Sequence, residues 1–283
     1  CFVDNLMYKN GHTLIHHFKN PKFKFIKGDA RDKSLIEPLI HNFEFVIHLA
    51  AIVGFPACRK NPDLATSVNV DSSRLISSLL SKDQGTIYAS TGSNYGIIEN
   101  QICTEDTPLN PISLYGRTKT EAENIFLNEN EAVAYRFATA FGLSPRMRLD
   151  LLINDFVYQA INNKLLVMFE KSFKRTFIHV DDMAKSIIYG IENYDSMKNN
   201  TFNVGGDFNN FNKEEIALMI KDRVDYYLHF AEIGEDEDKR NYEVSYEKIN
   251  KAGFSISKTV QDGIKELIDA APALDIRSKY KNV

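Results

Sequence analysis

Only three cysteines occur in the 283 residues, Cys1, Cys58 and Cys103. Their spacing forms no zinc-binding pattern, and a sparse, odd count suits a reducing compartment better than a disulfide framework. No apolar run approaches the roughly 18 residues that a membrane-spanning helix needs. The chain does not open on a charged and then apolar signal pattern. Basic residues are not in excess: 34 Lys+Arg stand against 38 Asp+Glu, a net charge of -4. The electrostatic footprint of a nucleic-acid-binding surface is therefore missing. These absences point to a cytoplasmic protein with neither membrane nor nucleic acid as partner.

What is present is ordinary globular material, 43% hydrophobic and 25% charged. The length suffices for one large domain or two small ones with a sizeable core. Apolar, β-rich runs alternate with helical stretches. Lys22–Lys27 reads as a strand ending in Gly28-Asp29, and Arg31–His41 as a helix with Leu35, Ile36, Leu39 and Ile40 at helical spacing. Glu44–Leu49 is a buried-type strand. Asn61–Ser81 is a helix that starts at Pro62. Thr86–Ala89 is a strand, Ser113–Asn130 a helix and Ala132–Phe137 a strand. This alternation predicts an α/β fold, a doubly wound parallel sheet with helices on both faces.

Beyond Phe141 the pattern is less regular. Helices are expected over Leu151–Asn162, Asp181–Tyr194, Lys213–Tyr227 and Thr259–Ala270, extended segments over Leu165–Phe169 and Thr201–Val204, and a solvated loop at Glu235–Asp238. The expected organisation is a nucleotide-binding portion over 1–140 and a smaller substrate-binding lobe over 141–283 that interleaves with it.

The chemistry-bearing motif is Tyr115-Gly116-Arg117-Thr118-Lys119. Residues four apart on a helix share a face. A phenol, with an unperturbed pKa of about 10, is a poor base at neutral pH. A nearby ammonium favours the phenolate, which can take a hydroxyl proton while hydride leaves the same carbon. Taken alone, the spacing also describes a solvated helix face. Upstream, however, the strand in Ile87-Tyr88-Ala89-Ser90-Thr91-Gly92-Ser93-Asn94-Tyr95-Gly96 ends in a cluster of small hydroxyl residues. Strand carboxyl ends face the ligand crevice of a doubly wound sheet. The same residues also suit a polar turn.

The run Ala89-Ser90-Thr91 to Tyr95-Gly96, followed by Pro111-Ile112-Ser113-Leu114-Tyr115 and Lys119, resembles the extended short-chain dehydrogenase/reductase family of NAD-dependent epimerases and dehydratases. UDP-glucose 4-epimerase is a familiar member. The resemblance extends through Gly28-Asp29, His48-Leu49-Ala50-Ala51, Arg136-Phe137 and Arg175-Thr176-Phe177-Ile178-His179-Val180-Asp181-Asp182, and so covers essentially the whole chain. It implies that Thr91 is the catalytic hydroxyl, Tyr115 the catalytic base, and Lys119 its partner and a ligand of the nicotinamide ribose. It implies NAD as cofactor. Asp4, with Asn5 beside it, would bind the adenosine ribose and disfavour a 2′-phosphate. Asp29 and Ala30 would contact adenine, Leu49, Ala50 and Ala51 would line the pyrophosphate and ribose, and Asn69 and Ser90 would lie near the cofactor. Asn154, Arg175 and Arg240 would hold the diphosphate of a nucleotide-sugar substrate, where a guanidinium fork suits phosphate. His179 and Asp181 would shape the lobe. A homodimer built on the helices around Asn61–Ser81 and Ser113–Asn130 is also implied.

The sequence departs from that pattern in three places. The family's opening strand, glycine-rich turn and helix do not appear, so the reading expects a longer natural chain with roughly 30 or more preceding residues. The doubly wound order would otherwise be left with a gap between its second and fourth strands. Members that remove water from the sugar carry Asp-Glu after the catalytic Thr; here Gly92-Ser93 stands there. Fucose-synthase-like members carry cysteine where Ser93 stands, and Cys103 is displaced from that position. What remains favours an epimerase or close dehydrogenase that reversibly oxidises a sugar hydroxyl. A reductase of a ketosugar or small carbonyl compound uses the same residues. A silent nucleotide-binding scaffold is the third reading.

Overall fold

The computed structural model describes residues 1–231 and 241–274. In chain order the first portion contains β1 (Phe2–Asp4), β2 (Phe25–Lys27), α1 (Lys33–Ile40), β3 (Phe45–His48), α2 (Phe55–Lys60), α3 (Pro62–Thr66), α4 (Ser72–Leu79), β4 (Gly85–Thr91), β5 (Ile97–Cys103), α5 (Leu114–Glu129), β6 (Val133–Phe137) and β7 (Thr139–Phe141). The second contains α6 (Leu152–Asn162), β8 (Leu165–Met168), β9 (Lys174–His179), α7 (Val180–Glu192), α8 (Tyr194–Met197), β10 (Asn200–Val204), β11 (Asn210–Asn212), α9 (Lys213–Lys221), β12 (Tyr227–Phe230), β13 (Asn241–Val244), α10 (Glu247–Lys251) and α11 (Val260–Ala270). Helix starts follow local chemistry. The Asp32 carboxylate accepts from the Ser34 and Leu35 amides to open α1, Asn61 caps α3 ahead of Pro62, and Ser113 accepts from the Gly116 amide to open α5.

Strands β3, β4, β6 and β10 form a parallel sheet in the order β10-β6-β4-β3, while β1 and β2 form a separate parallel pair. Among the described residues no backbone ladder joins β1 to β3. Alternation along β4 shows how both sheet faces are covered. Ile87 belongs to a core with Val133, Tyr135, Phe202 and helix α7, whereas its neighbour Tyr88 belongs to a core with Ile36, Ile76, Ala122 and Phe126 of α1, α4 and α5. Successive strand residues point to opposite faces, so a strand apolar at both positions must be covered twice. This is the expected α/β doubly wound arrangement.

A third core, built on Val157, Leu166, Phe177, Ile216 and Ile264, holds α6, β8, β9, α9 and α11 together. The two portions share elements: β10 lies in the first portion's sheet, and Tyr242 and Val244 of β13 pack into its core. The helix expected over Lys213–Tyr227 ends at Lys221, and Tyr227 enters a strand parallel to β8. The expected long helix at Asn61–Ser81 is interrupted by a π-turn at Ser67–Asp71. The acidic loop Glu235–Asp238 lies outside the described residues. No helix among the described residues is long and apolar enough to cross a membrane.

Candidate active site

The carboxyl ends of β3, β4 and β6 and the start of α5 surround a cavity of about 670 Å³. Thr91, the last residue of β4, is on its wall, as are Ser90 and Ser93. The next two residues turn the chain. The Thr91 hydroxyl donates to Ser93 Oγ at 3.1 Å and accepts the Ser93 amide at 3.1 Å, which fixes both hydroxyls at the cavity edge. Gly92 packs so closely that a Cβ would lie 3.2 Å from the Tyr242 hydroxyl. A residue with a longer side chain at this position would displace the Tyr242 ring.

Tyr115 and Lys119 of α5 line the same cavity. Tyr115 is half-buried, whereas Lys119 is buried, its Nζ 4.2 Å from the centre of the Tyr88 ring. Burial disfavours the ammonium and brings the Lys119 pKa down to about 7, against the opposing fields of Glu123 and Cys58. Behind them, the Glu123 carboxylate is 1% exposed and receives the Arg136 guanidinium, with Nη2–Oε1 at 2.6 Å. Ser90 and Asn94 also donate to that carboxylate.

On the expected cofactor side, Asp4 ends β1 and Asp29 lies two residues beyond the end of β2. The Gly28 amide donates to the Asp4 carbonyl at 3.1 Å, so the two acidic residues sit at neighbouring strand ends. One Asp4 oxygen accepts the Leu6 amide at 2.6 Å. Asp29 takes the Arg31 guanidinium at 2.7 and 2.8 Å and the Asn5 side chain at 3.4 Å, and the Arg31 hydrogen bond holds its carboxyl well below the usual carboxylate range. Ala30 is half-buried against the core beneath α1. Leu49 and Ala51 line the cavity; Ala50 between them is exposed and is not on its wall. Asn69 is buried in the π-turn. Its oxygen accepts the Ile52 amide at 2.7 Å, and its nitrogen donates to the Ile52 carbonyl at 3.1 Å and to Thr118 Oγ1 at 3.0 Å. Asn69 thus pins the loop after β3 to α5.

The residues expected on the substrate side have the following surroundings. Asn154 is buried and its side chain engages backbone: it accepts the Gly142 amide at 3.0 Å and donates to the Arg148 carbonyl at 3.0 Å. Arg175 is buried in β9, with Nη1 donating to the Lys174 carbonyl at 3.0 Å. Neither lines the cavity. Arg240 lies outside the described residues. Sequence reading did not single out Arg148, which is on the cavity wall and grips Asp150 with two hydrogen bonds of 2.7 and 3.1 Å. Apolar cavity walls from Phe55, Ile97 and Leu151 were also missed, since they come from loops and element ends without a motif. Glu123 did carry a signal: it continues the four-residue spacing of Tyr115 and Lys119.

Residues 2–205 match the model of the NAD dependent epimerase/dehydratase family. A low-salt glycan biosynthesis protein of Haloferax volcanii is 24% identical over 94% of this chain and 88% of its own length. A putative UDP-glucose 4-epimerase of Methanocaldococcus jannaschii is 26% identical, again over 94% of this chain and 88% of that protein. The crystal structure of UDP-glucuronic acid 4-epimerase from Bacillus cereus, in complex with UDP-glucuronic acid and NAD, superposes with a TM-score of 0.83 at 22% identity, covering 96% of this chain and 90% of that one. A dTDP-glucose 4,6-dehydratase from Streptomyces venezuelae with NAD bound gives a TM-score of 0.85 at 20% identity, over 96% and 86% of the two chains. At these identities the superpositions establish the fold.

Proposed function

Because the chain belongs to the NAD dependent epimerase/dehydratase family, we propose that it is a nucleotide-sugar epimerase, or a close dehydrogenase, working by reversible oxidation of a sugar hydroxyl. One observation carries this reading: Thr91, Tyr115 and a buried Lys119 line a single cavity at the carboxyl ends of the sheet strands. The putative UDP-glucose 4-epimerase of Methanocaldococcus jannaschii, 26% identical over 94% of this chain, supports the substrate class.

The residues present suit NAD. Asp4 and Asn5 would take the adenosine ribose, where a carboxylate pairs with two hydroxyls and repels a 2′-phosphate. Asp29 and Ala30 would flank adenine, and Leu49, Ala50 and Ala51 would border the pyrophosphate and ribose. Asn69 would support that loop from behind. Lys119 would hold the nicotinamide ribose. When bound, NAD supplies the acceptor and donor of hydride.

The protein's own part is proton transfer and positioning. Tyr115 Oη takes the proton of the substrate hydroxyl and later returns it. The Lys119 ammonium favours the phenolate form of Tyr115. Thr91 Oγ1 hydrogen-bonds the reacting oxygen, and Ser93 and Ser90 steady the strand end that carries it. Gly92 and Ser93 put no carboxylate beside Thr91, so the site lacks the acid and base that elimination of water would require there. This favours epimerisation over dehydration. In the same reading, residues 1–140 form the cofactor portion and 141–283 the substrate lobe, with Asn154 and Arg175 supporting the substrate loop from within the structure.

We infer a cytoplasmic homodimer for the same chain. Helices α4 and α5 pack side by side, with an Arg74–Glu121 ion pair of 3.2 Å on their exposed face. Sedimentation equilibrium at micromolar concentration is expected to give twice the mass of one chain, and a single-chain mass would reject the dimer.

The function is tested by incubating the protein with NAD and a panel of nucleotide sugars and resolving the products by chromatography. Conversion of one sugar to its epimer without net NADH formation is expected. Stoichiometric consumption of NADH on a keto substrate, with no epimer formed from any sugar, would replace this reading by the reductase.

A further inference from the structure

The mechanism above uses Tyr115 and Lys119 and leaves the next residue on the same helix face unexplained. Glu123 is four residues beyond Lys119, and its carboxylate is among the most enclosed charges in the described structure, 1% exposed. Three segments converge on it. Arg136 of β6 gives Nη2 at 2.6 Å and Nε at 3.1 and 3.2 Å. Asn94, from the turn after Thr91, gives Nδ2 at 3.2 Å. Ser90, the neighbour of Thr91 on β4, gives its hydroxyl. Arg136 is itself held by the Tyr95 hydroxyl at 3.2 Å and the Glu105 carbonyl at 3.1 Å.

A buried ion pair contributes little net stability against an apolar replacement of equal volume, because desolvation cancels most of the attraction. This pair sits where the strand bearing Thr91 meets the helix bearing Tyr115 and Lys119. We propose that Glu123 is a positioning residue for the reaction: its locked carboxylate keeps Lys119 in the ammonium form and thereby holds Tyr115 ready as a base. The proposal rests on the epimerase reading for the role of Tyr115, and it adds the source of the charge.

The surroundings of Lys119 make a counter-charge necessary. Its Nζ lies 4.2 Å from the centre of the Tyr88 ring of β4; its field also acts on His48 of β3 and Cys58 of α2, and Tyr115 precedes it by one turn on the same helix face. His48 is held neutral by burial, down at about 3, and burial pushes the Cys58 thiol up to about 11. At neutral pH neither carries charge. Glu123, one turn further along the same helix face, supplies a negative field that acts on Lys119, and Arg136 fixes its carboxylate in place.

The test uses the full chain with NAD and, for turnover, the nucleotide-sugar panel described above. The sequence has no tryptophan, so the near-ultraviolet phenolate band is free of indole absorption. The difference between the chain and its Tyr115→Phe variant isolates the titration of Tyr115. The pair variant Glu123→Gln/Arg136→Met removes both charges together and avoids leaving Arg136 unpaired. In it the Tyr115 titration is expected to move to higher pH, and turnover at neutral pH to fall about tenfold or more, the factor that one pKa unit represents, with little change in KM. Glu123→Asp keeps Arg136 paired but relocates the carboxylate by one methylene, and it reads a smaller shift of the same sign should the pair variant not fold. An unmoved Tyr115 titration in a folded variant of either kind overturns the proposal. A shifted titration in a protein that converts no nucleotide sugar would retire the epimerase reading and leave the role of Glu123 standing.

Discussion

Lys119 holds its ammonium nitrogen 4.2 Å from the centre of the Tyr88 ring, inside the wall of the cavity that Tyr115 and Thr91 share. The ring face attracts a cation, but it does not replace water, and burial lowers the Lys119 pKa from 10.5 to about 7.

That lowering fixes the sign of a pH dependence. Between the folded and unfolded pKa values the unfolded chain binds more protons at Lys119, so stability rises with pH across this window. The penalty is fully present below about pH 7 and vanishes above the unfolded value of 10.5. Lys119→Met is expected to be the more stable protein at pH 6 to 7, by on the order of a few kcal/mol, and to lose that advantage towards pH 10. Urea denaturation of both proteins across this range checks it. Parallel pH profiles would show that Lys119 stays charged throughout.

Tyr115→Phe removes one hydroxyl and preserves the ring. Turnover is expected to fall by roughly 10²–10⁴-fold, the usual contribution of a general acid–base group, while NAD affinity and the denaturation midpoint change little. Steady-state rates and calorimetric NAD titration separate the two effects. Near-normal turnover would remove Tyr115 from the mechanism.

Asp4 is expected to set cofactor choice. A carboxylate at the end of β1 repels the 2′-phosphate of NADP, so NAD binds more tightly. Asp4→Asn keeps an oxygen for the Leu6 amide, which now receives a 2.6 Å hydrogen bond, and should narrow the gap between the two cofactors. Equal affinities of the unaltered protein for NAD and NADP would refute the assignment.

Asn69→Ala is expected to destabilise the fold as well as the site. The substitution strands the buried Ile52 amide, which Asn69 accepts at 2.7 Å, and removes the tie to Thr118. Each buried polar group left unpaired costs about 1–3 kcal/mol. A fall of that order in unfolding free energy, with weaker NAD binding, is the expected result, and an unchanged denaturation midpoint would contradict it.

Much of this was legible in the residues themselves. β4 could be read because Thr86, Ile87 and Tyr88 form a short apolar run that stops at Ser90 and Thr91. α5 could be read because Ser113 caps it and Tyr115 and Lys119 repeat at helical spacing. The doubly wound alternation followed from such local periods, which act within a few residues. β5 could not be read, since Ile97–Cys103 is a strand only by pairing with β13, far along the chain. The end of α9 was overrun for a related reason: Tyr227–Phe230 is drawn into a strand by β8.

The sequence by itself therefore determined the β-α alternation of the first half, the α/β class and the short motif holding Thr91, Tyr115 and Lys119, because capping, periodicity and motif spacing are local properties. Only the tertiary structure decided that the Asn154 side chain engages the backbone of Gly142 while Arg148 reaches the cavity wall. It also decided that Glu123 meets Arg136 at 2.6 Å behind Lys119. A charged side chain can face water, a ligand or a buried partner with equal local plausibility, and its choice is made by the desolvation cost and the donors that other segments bring to it.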